Sequence, residues 1–171
     1  MLESYPMVLK QKNGYTLIEV VIVIVLILIL SASIFVYVNF SRDFNLDSAA
    51  SKVASDLRYA QSLSMSTARW YGVSFEGNSY AIYTTTGTLD TLINDPASFG
   101  KDMVVNVYDQ FGLSVNVYID GGNKIEFSPL GQPYIDRNSF ILTNEGVVTL
   151  STGALSKTVR ITPNTGKVYI Q

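Results

Sequence analysis

The 171-residue sequence contains no cysteine and no histidine. The absence of cysteine excludes disulfides and thiol nucleophiles, and the absence of histidine removes the imidazole base. Together the two absences remove the commonest zinc ligands. No P-loop, G-x-S-x-G turn or zinc-binding spacing is present either. We therefore predict that the protein is not an enzyme and that it holds no cofactor and no metal ion.

Charged residues are few, and residues 20–41 contain none. This run of 22 residues exceeds the roughly 20 apolar residues that a helix needs to cross a bilayer. Glu19 stands directly before the run, and an ionisable group in such a segment is costly unless a partner offsets its burial. The run therefore predicts a transmembrane helix, with Glu19 as its candidate functional residue.

The residues that lead into the apolar run carry a specific pattern. Residues 14–19 read GYTLIE and follow a short basic leader. This pattern resembles the processing site of type IV pilins and pseudopilins, with Tyr15 in place of the usual Phe. The resemblance implies that a prepilin peptidase cleaves after Gly14 and N-methylates Tyr15. It also implies that Glu19 serves subunit assembly by pairing with the α-amine of a neighbouring subunit.

Three other interpretations of this segment stay open. Small residues at 31–33 fit a secretory cleavage site, although the apolar run is longer than the roughly 7–15 residues of the apolar region in a signal peptide. A plain signal anchor would place Glu19 at the membrane interface, and a soluble protein would have to bury the whole run. In the pilin-like interpretation the basic Lys10 and Lys12 stay on the cytoplasmic side. That predicts a single-pass protein of the bacterial inner membrane, with a periplasmic C-terminal domain and with lipid, prepilin peptidase and other pilins as partners.

The chain lacks glycine and proline between Gly14 and Gly72, so no strong helix breaker interrupts a helix from about residue 15 to residue 68. Beyond residue 42, apolar residues recur every three or four positions, which predicts one stripe buried against the following domain. The predicted stripe consists of Val53, Leu57, Ala60, Leu63 or Ser64, and Ala68. Trp70, the only tryptophan, is predicted to pack against this stripe where the helix gives way to a strand.

The period changes to two from residue 70 onward, which predicts strands. Two alternating runs flank Gly77 and Asn78 and predict a hairpin over residues 70–85. Residues 85–102 are polar and weakly periodic, which predicts a long surface loop. Further strands are predicted over residues 103–108, 113–119, 124–128, 140–143, 147–151, 158–162 and 167–170.

Two C-terminal turns extend the resemblance. Residues 125–131 (IEFSPLG) and 159–168 (VRITPNTGKV) look like turns of the GspH/FimT-like minor pseudopilins and minor pilins. The implied fold is α+β and pilin-like: a long N-terminal helix, half in the membrane and half amphipathic, packs on an antiparallel β-sandwich-like domain. The predicted segments are a leader at residues 1–14, a membrane helix at 15–41, an amphipathic helix at 42–70 and a β domain at 71–171.

Charged side chains beyond the helix suggest no strong site. Three acids of the predicted loop lack the D-x-D-x-D spacing of a calcium loop. They are Asp90, Asp95 and Asp102. The candidate nucleic-acid contacts in the tail are Lys157, Arg160 and Lys167. Because they are scattered in a chain of net charge −2, nucleic acid is not favoured as a partner.

These features predict a minor pseudopilin of a type II secretion system, which assembles through its N-terminal helix into a periplasmic pseudopilus for protein secretion. A minor pilin of a type IV pilus, acting in pilus assembly and DNA uptake, is an alternative. A signal-anchored periplasmic binding domain, which needs no filament, is a further alternative.

Overall fold

The computed structural model describes residues 15–139 and 141–171, apart from the side chains of residues 32–43. The chain divides into two compact units between Phe40 and Ser41. The predicted leader and its cleavage residue Gly14 lie outside the described residues.

One long helix, α1, spans Leu17–Thr67, which confirms the helix predicted from the absence of glycine and proline. It ends at Ala68, whose φ of 54° places it in the left-handed region that stops a helix. The predicted stripe is largely confirmed, because Val53, Leu57 and Ala60 are buried in the core of the second unit. Ala68 is exposed instead, since the left-handed turn removes it from the helix face.

The strands form two antiparallel sheets in the second unit. The strands of sheet A are β1 Trp70–Glu76, β2 Ser79–Thr85, β3 Asp90–Leu92, β4 Val104–Asn106, β6 Lys124–Phe127 and β7 Pro133–Tyr134. Those of sheet B are β5 Ser114–Tyr118, β8 Gly146–Thr152, β9 Leu155–Ile161 and β10 Val168–Ile170. Sheet A has the order β3-β2-β1-β6-β7, with β4 also paired to β2, and sheet B has the order β10-β9-β8-β5.

A single apolar core joins the second half of α1 to both sheets. Its fully buried members include Leu57 from α1, Ile82 and Phe127 from sheet A, and Leu150 and Ile161 from sheet B. Each buried aliphatic or aromatic side chain of this kind contributes about 1.5–3 kcal/mol relative to exposure. The predicted α+β arrangement, a helix packed on antiparallel sheets, is confirmed, and the hairpin of β1 and β2 has the predicted turn.

The structure corrects two of the strand predictions. Residues 85–102 are not a plain loop, because β3 lies within them and pairs with residues 83–85 of β2. Residues 103–108 do not form one strand, because a short helix, α2 Val107–Phe111, begins at residue 107. The side chain of Asn106 accepts a hydrogen bond from the backbone N–H of Asp109 and so caps α2.

One further strand prediction also needs correction. Of the strand predicted over residues 140–143, the described part shows an isolated bridge between Tyr134 and Ile141, and Phe140 lies outside the described residues. Trp70 is half-buried at the predicted boundary. The centroid of its ring lies 4.9 Å from that of Tyr134 and 5.6 Å from the guanidinium carbon of Arg137, and its packing against the helix stripe stays a prediction.

Candidate functional site

The first part of α1 presents apolar side chains around its whole circumference. Every aliphatic side chain between Leu17 and Leu30 is 45–82% exposed, and Tyr15 is 84% exposed. A helix that is apolar on all faces requires apolar surroundings, because leaving such a surface in water costs about 25 cal/mol per Å². This segment therefore leaves a large apolar surface without a partner in the described structure.

The start of this segment is fixed by Thr16. Its hydroxyl and its carbonyl oxygen both accept hydrogen bonds from the backbone N–H of Glu19, at 3.3 and 3.1 Å. The spacing T-x-x-E is that of a capping box, in which the first residue satisfies a free N–H of the first turn. The motif residues thus have a local structural role at the helix N-terminus, in addition to any role in processing.

Glu19 is exposed and has no ion-pair partner within the part of the chain that the structure describes. It borders a hollow on the helix surface together with Tyr15, Val20, Val23 and Ile24. A carboxylate beside four apolar or aromatic side chains is poorly placed in lipid unless a cation joins it. Glu19 is thus the acidic residue that borders this otherwise apolar hollow.

The three tail cations do not form one patch. Lys157 forms an ion pair with Asp47 of α1, and Arg160 forms one with Glu145 at 2.7 Å. Because they are three residues apart in β9, Lys157 and Arg160 point to opposite faces of sheet B. Lys167 is exposed before β10. The structure thus places two of the candidate nucleic-acid contacts against carboxylates and separates them across a sheet.

The three acids of the predicted loop are also dispersed. Asp90 is exposed on β3, Asp95 accepts a hydrogen bond from the backbone N–H of Ala97, and Asp102 forms a bridge with Asn94. Among the described residues, no group of three or more acids is arranged to hold a metal ion.

Two acidic residues are buried in positions that the sequence does not indicate. Asp56 of α1 is 5% exposed and accepts a hydrogen bond of 2.6 Å from the Tyr80 hydroxyl, while Lys52 donates to both of its oxygens. Burial, together with the negative charge of Asp56, raises the pKa of Tyr80 far above its usual value. Asp56 reads as a polar residue on the helix surface, and nothing in the sequence indicates that a tyrosine 24 positions later meets it.

Glu126 of β6 is the second such acid, and it is 1% exposed. The Tyr83 hydroxyl donates to it at 2.7 Å and the backbone N–H of Arg137 at 2.6 Å. Burial and the hydrogen bond to Glu126 raise the pKa of Tyr83 far above its usual value. Gly72 lies against this pair, because a Cβ there would stand 2.5 Å from the Tyr83 ring.

Lys124 links this buried group to the surface. It donates to Glu126 at 3.2 Å and to Asp136 at 2.5 Å. Burial, the largest single influence, would lower the pKa of Lys124, but the hydrogen bonds and negative charges of Asp136 and Glu126 together outweigh burial and raise it. The hydrogen bond from Lys124 holds the pKa of Asp136 below its usual value. These opposite shifts indicate a stable ion pair that anchors the loop after β7.

Comparison with known proteins places these features in context. Residues 9–35 match the family model of the prokaryotic N-terminal methylation motif. A crystal structure of the type IV minor pilin FimU from Pseudomonas aeruginosa is similar over 77% of this chain and 92% of that chain, with a TM-score of 0.54 at 14% identity. The chain thus carries this motif, and its fold is pilin-like.

A second crystal form of FimU gives the same result for the pilin-like chain. It covers 74% of this chain and 92% of that chain, with a TM-score of 0.51 at 16% identity. No curated protein matches the sequence. Among the described residues, no helix is long and apolar enough to span a membrane.

The two C-terminal turns of the pilin-like chain meet at one residue of α1. The Gln61 side chain donates to the carbonyl oxygens of Gly131, at 2.8 Å, and Thr165, at 3.2 Å. Gly166 completes the contact, because a Cβ there would lie 2.7 Å from Gln61 Nε2 and 2.8 Å from the Gly131 oxygen. The turns at residues 125–131 and 159–168 thus hold the β domain against α1 through their hydrogen bonds with Gln61.

Proposed function

We propose that the chain is a minor subunit of a type IV pilin-like filament. The observation that carries the proposal is the exposed apolar start of α1, which lies within the methylation motif and bears Glu19 without an ion-pair partner among the described residues. In this role prepilin peptidase cleaves after Gly14, Tyr15 becomes the methylated N-terminus, and the helix packs with those of neighbouring subunits.

The mechanism is mechanical rather than catalytic. Before assembly, lipid surrounds residues 15–41 as a single membrane helix, and residues 42–171 lie in the periplasm. During assembly, neighbouring helices replace lipid, and packing in that setting depends on van der Waals fit and polar pairing. A neighbour's α-amine then offsets the charge of Glu19, so that the pair sets the register between subunits.

Two filament types suit this role. Similarity to FimU, which is a type IV minor pilin, favours a minor pilin of a type IV pilus. The resemblance of residues 125–131 and 159–168 to GspH-like turns favours a minor pseudopilin of a type II secretion system. Deleting the gene distinguishes them, because loss of surface pili with normal protein secretion supports the pilus, and the reverse result supports the secretion system.

Mass spectrometry of the mature chain tests the proposal directly. The expected N-terminus is N-methylated Tyr15, and Gly14→Val should leave the leader attached, because a side chain blocks close approach of the peptidase to the backbone. A start at Ile34, after the small residues 31–33, or retention of Met1 in the unsubstituted chain would overturn the filament role. Either result would favour a secreted or signal-anchored binding domain.

A nucleic-acid role has its own test. Replacing Lys157, Arg160 and Lys167 by alanine should leave a gel shift with DNA unchanged, since two of the three are neutralised by carboxylates. Salt-sensitive DNA binding that the triple substitution abolishes would instead assign the tail as a DNA receptor.

A further inference from the structure

A cleft of about 380 Å³ lies where α1 gives way to β1. Its walls come from the turn after α1, from the end of β2 and from the segments on either side of β7. We propose that this cleft receives an acidic side chain of an unlike subunit of the filament. The lining includes Arg69, Trp70, Thr85, Thr86, Pro129 and Arg137.

The cleft presents two arginines that the chain itself leaves without a counter-ion. Neither Arg69 nor Arg137 forms an ion pair within the described part of the chain, whereas four other cations there are paired with carboxylates. None of the described acids lines the cleft. A guanidinium group presents its N–H donors in a flat fork that matches the two oxygens of a carboxylate. The two arginines therefore suit a carboxylate that comes from another molecule.

Arg137 is held in place before any partner arrives. Its backbone N–H donates to the buried Glu126 at 2.6 Å, and its guanidinium donates to the Thr85 carbonyl oxygen at 3.2 Å. The guanidinium carbon also lies 5.6 Å from the centroid of the Trp70 ring. A side chain that is already ordered loses little entropy on binding, so this side of the cleft is preorganised for a partner.

Acids around the cleft restrict its positive charge to a small site. Asp90 stands opposite Thr85 in the register of β2 and β3, and Asp136 directly precedes Arg137 in the chain. Glu126 lies behind Arg137 and accepts from its backbone. A single carboxylate matches a small positive site of this kind, whereas a nucleic acid brings a row of phosphates that the same acids would repel.

Two exposed leucines border the cleft and favour a protein as the partner. Leu130 is 82% exposed and directly follows Pro129 of the lining. Leu89 is 64% exposed, and its carbonyl oxygen accepts a hydrogen bond of 3.1 Å from the N–H of Thr86. Tryptophan and arginine carry much of the binding energy at protein interfaces, and a protein would also remove the leucines from water. A small anion would leave both leucines exposed.

The expected partner is an unlike subunit rather than a second copy of this chain. A minor subunit is scarce in its filament, so its neighbours are other subunits. Charge complementarity at such a contact selects one neighbour over another. The inference therefore rests on the proposed filament role and adds to it the surface by which this chain recognises a neighbour.

Site-specific photocrosslinking in intact cells tests the contact. A benzophenone amino acid replaces Leu130 in the full-length chain, and the cross-linked peptides are identified by mass spectrometry. We expect an adduct with a different protein that itself carries the N-terminal methylation motif, on a segment that contains aspartate or glutamate. The same benzophenone at Ser114, an exposed position on β5, is the control and should not give this adduct.

Charge exchange makes the test specific for the cleft. Arg69→Glu should lower the yield of the adduct at least tenfold, because like charges then face each other. Replacing the partner's acid by lysine in the Arg69→Glu strain should restore the yield. Arg137→Gln, which keeps a donor for the Thr85 oxygen but loses the charge, should lower the yield as well.

Lys101→Glu is the matched control for these charge changes. Lys101 is exposed and without an ion pair in the described part of the chain, as Arg69 is, but it lies outside the lining of the cleft. The yield of the adduct should therefore not change. Equal unfolding temperatures of the full-length Arg69→Glu and Lys101→Glu chains show that neither substitution acts through the fold.

Incorporation into filaments is measured on the same cells by co-sedimentation. Incorporation without the adduct, or an adduct that neither Arg69→Glu nor Arg137→Gln lowers, overturns the cleft contact and leaves the filament role standing. An adduct with a second copy of this chain overturns the contact in the same way. Absence of both incorporation and adduct overturns the filament role together with the contact that rests on it.

Discussion

Two buried carboxylates are hydrogen-bonded on both of their oxygens inside the second unit. Asp56 of α1 meets the Tyr80 hydroxyl, and Glu126 of β6 meets the Tyr83 hydroxyl and a backbone N–H. An unpaired buried polar group costs about 1–3 kcal/mol, and a charged one costs more. Their complete hydrogen bonding indicates that these acids help to hold the fold together.

Removal of one hydroxyl tests the role of Asp56. Tyr80→Phe leaves the carboxylate with Lys52 as its remaining side-chain partner. It should lower the free energy of unfolding by about 1–3 kcal/mol, as measured by thermal unfolding followed through Trp70 fluorescence. Tyr118→Phe is the matched control, because Tyr118 is 61% exposed, and it should have no measurable effect. Equal stability of the two variants would contradict this role.

Acid titration tests the ion pair at Lys124. The hydrogen bond from Lys124 lowers the pKa of Asp136 in the folded state, so the pair stabilises the fold above the unfolded pKa of about 3.9. That contribution is lost as the pH falls through the folded pKa. Asp136→Asn should therefore flatten the loss of stability below about pH 4.

The control for this titration is Asp102→Asn, at an exposed residue without a side-chain hydrogen bond in the described part of the chain. Its unfolding temperature should follow that of the unsubstituted protein from pH 7 to pH 3. If Asp136→Asn shows the same profile as this control, the ion pair does not contribute to the acid sensitivity of the fold.

At the scale of elements, local signals determined what the sequence could predict. The helix and the β1–β2 hairpin follow from the absence of breakers and from the turn at Gly77, so both were predictable. Helix α2 was not, because residues 103–108 alternate like a strand while the cap at Asn106 depends on its side-chain rotamer. The hydrogen bond between Glu126 and Tyr83 was not predictable either, because the two residues are 43 positions apart and their contact depends on the register of the sheet.

Two glycine-to-alanine substitutions distinguish the cost of backbone strain from the cost of a steric clash where the two C-terminal turns meet. Gly166 and Gly153 both have positive φ, 65° and 58°, so alanine at either should cost about 1–2 kcal/mol. A Cβ at Gly153 meets nothing within 4 Å, whereas one at Gly166 clashes with Gln61 and Gly131. Gly166→Ala should therefore lower the free energy of unfolding by about 1–3 kcal/mol more than Gly153→Ala. Equal costs, measured by denaturant unfolding, would show that the turn adjusts freely.

At the scale of the whole molecule, the residues that form the core are separate from those proposed to serve assembly. The core of the second unit draws on residues from Leu46 onward, and the exposed apolar start of α1 supplies none of them. A chain arranged in this way can fold its β domain first and use the remaining apolar surface for association. The division between the units at Phe40 and Ser41 agrees with that separation.

Glu19→Ala tests this separation directly. The substitution removes the carboxylate proposed to pair with a neighbour's α-amine and leaves every core contact in place. We expect incorporation into filaments, measured by co-sedimentation, to fall at least tenfold, because an uncompensated charge then remains at the neighbouring N-terminus. The unfolding temperature of the β domain should not change. Glu76→Ala, at an exposed residue of β1, should affect neither quantity. Normal incorporation of the Glu19→Ala chain would show that the acid does not set the register between subunits.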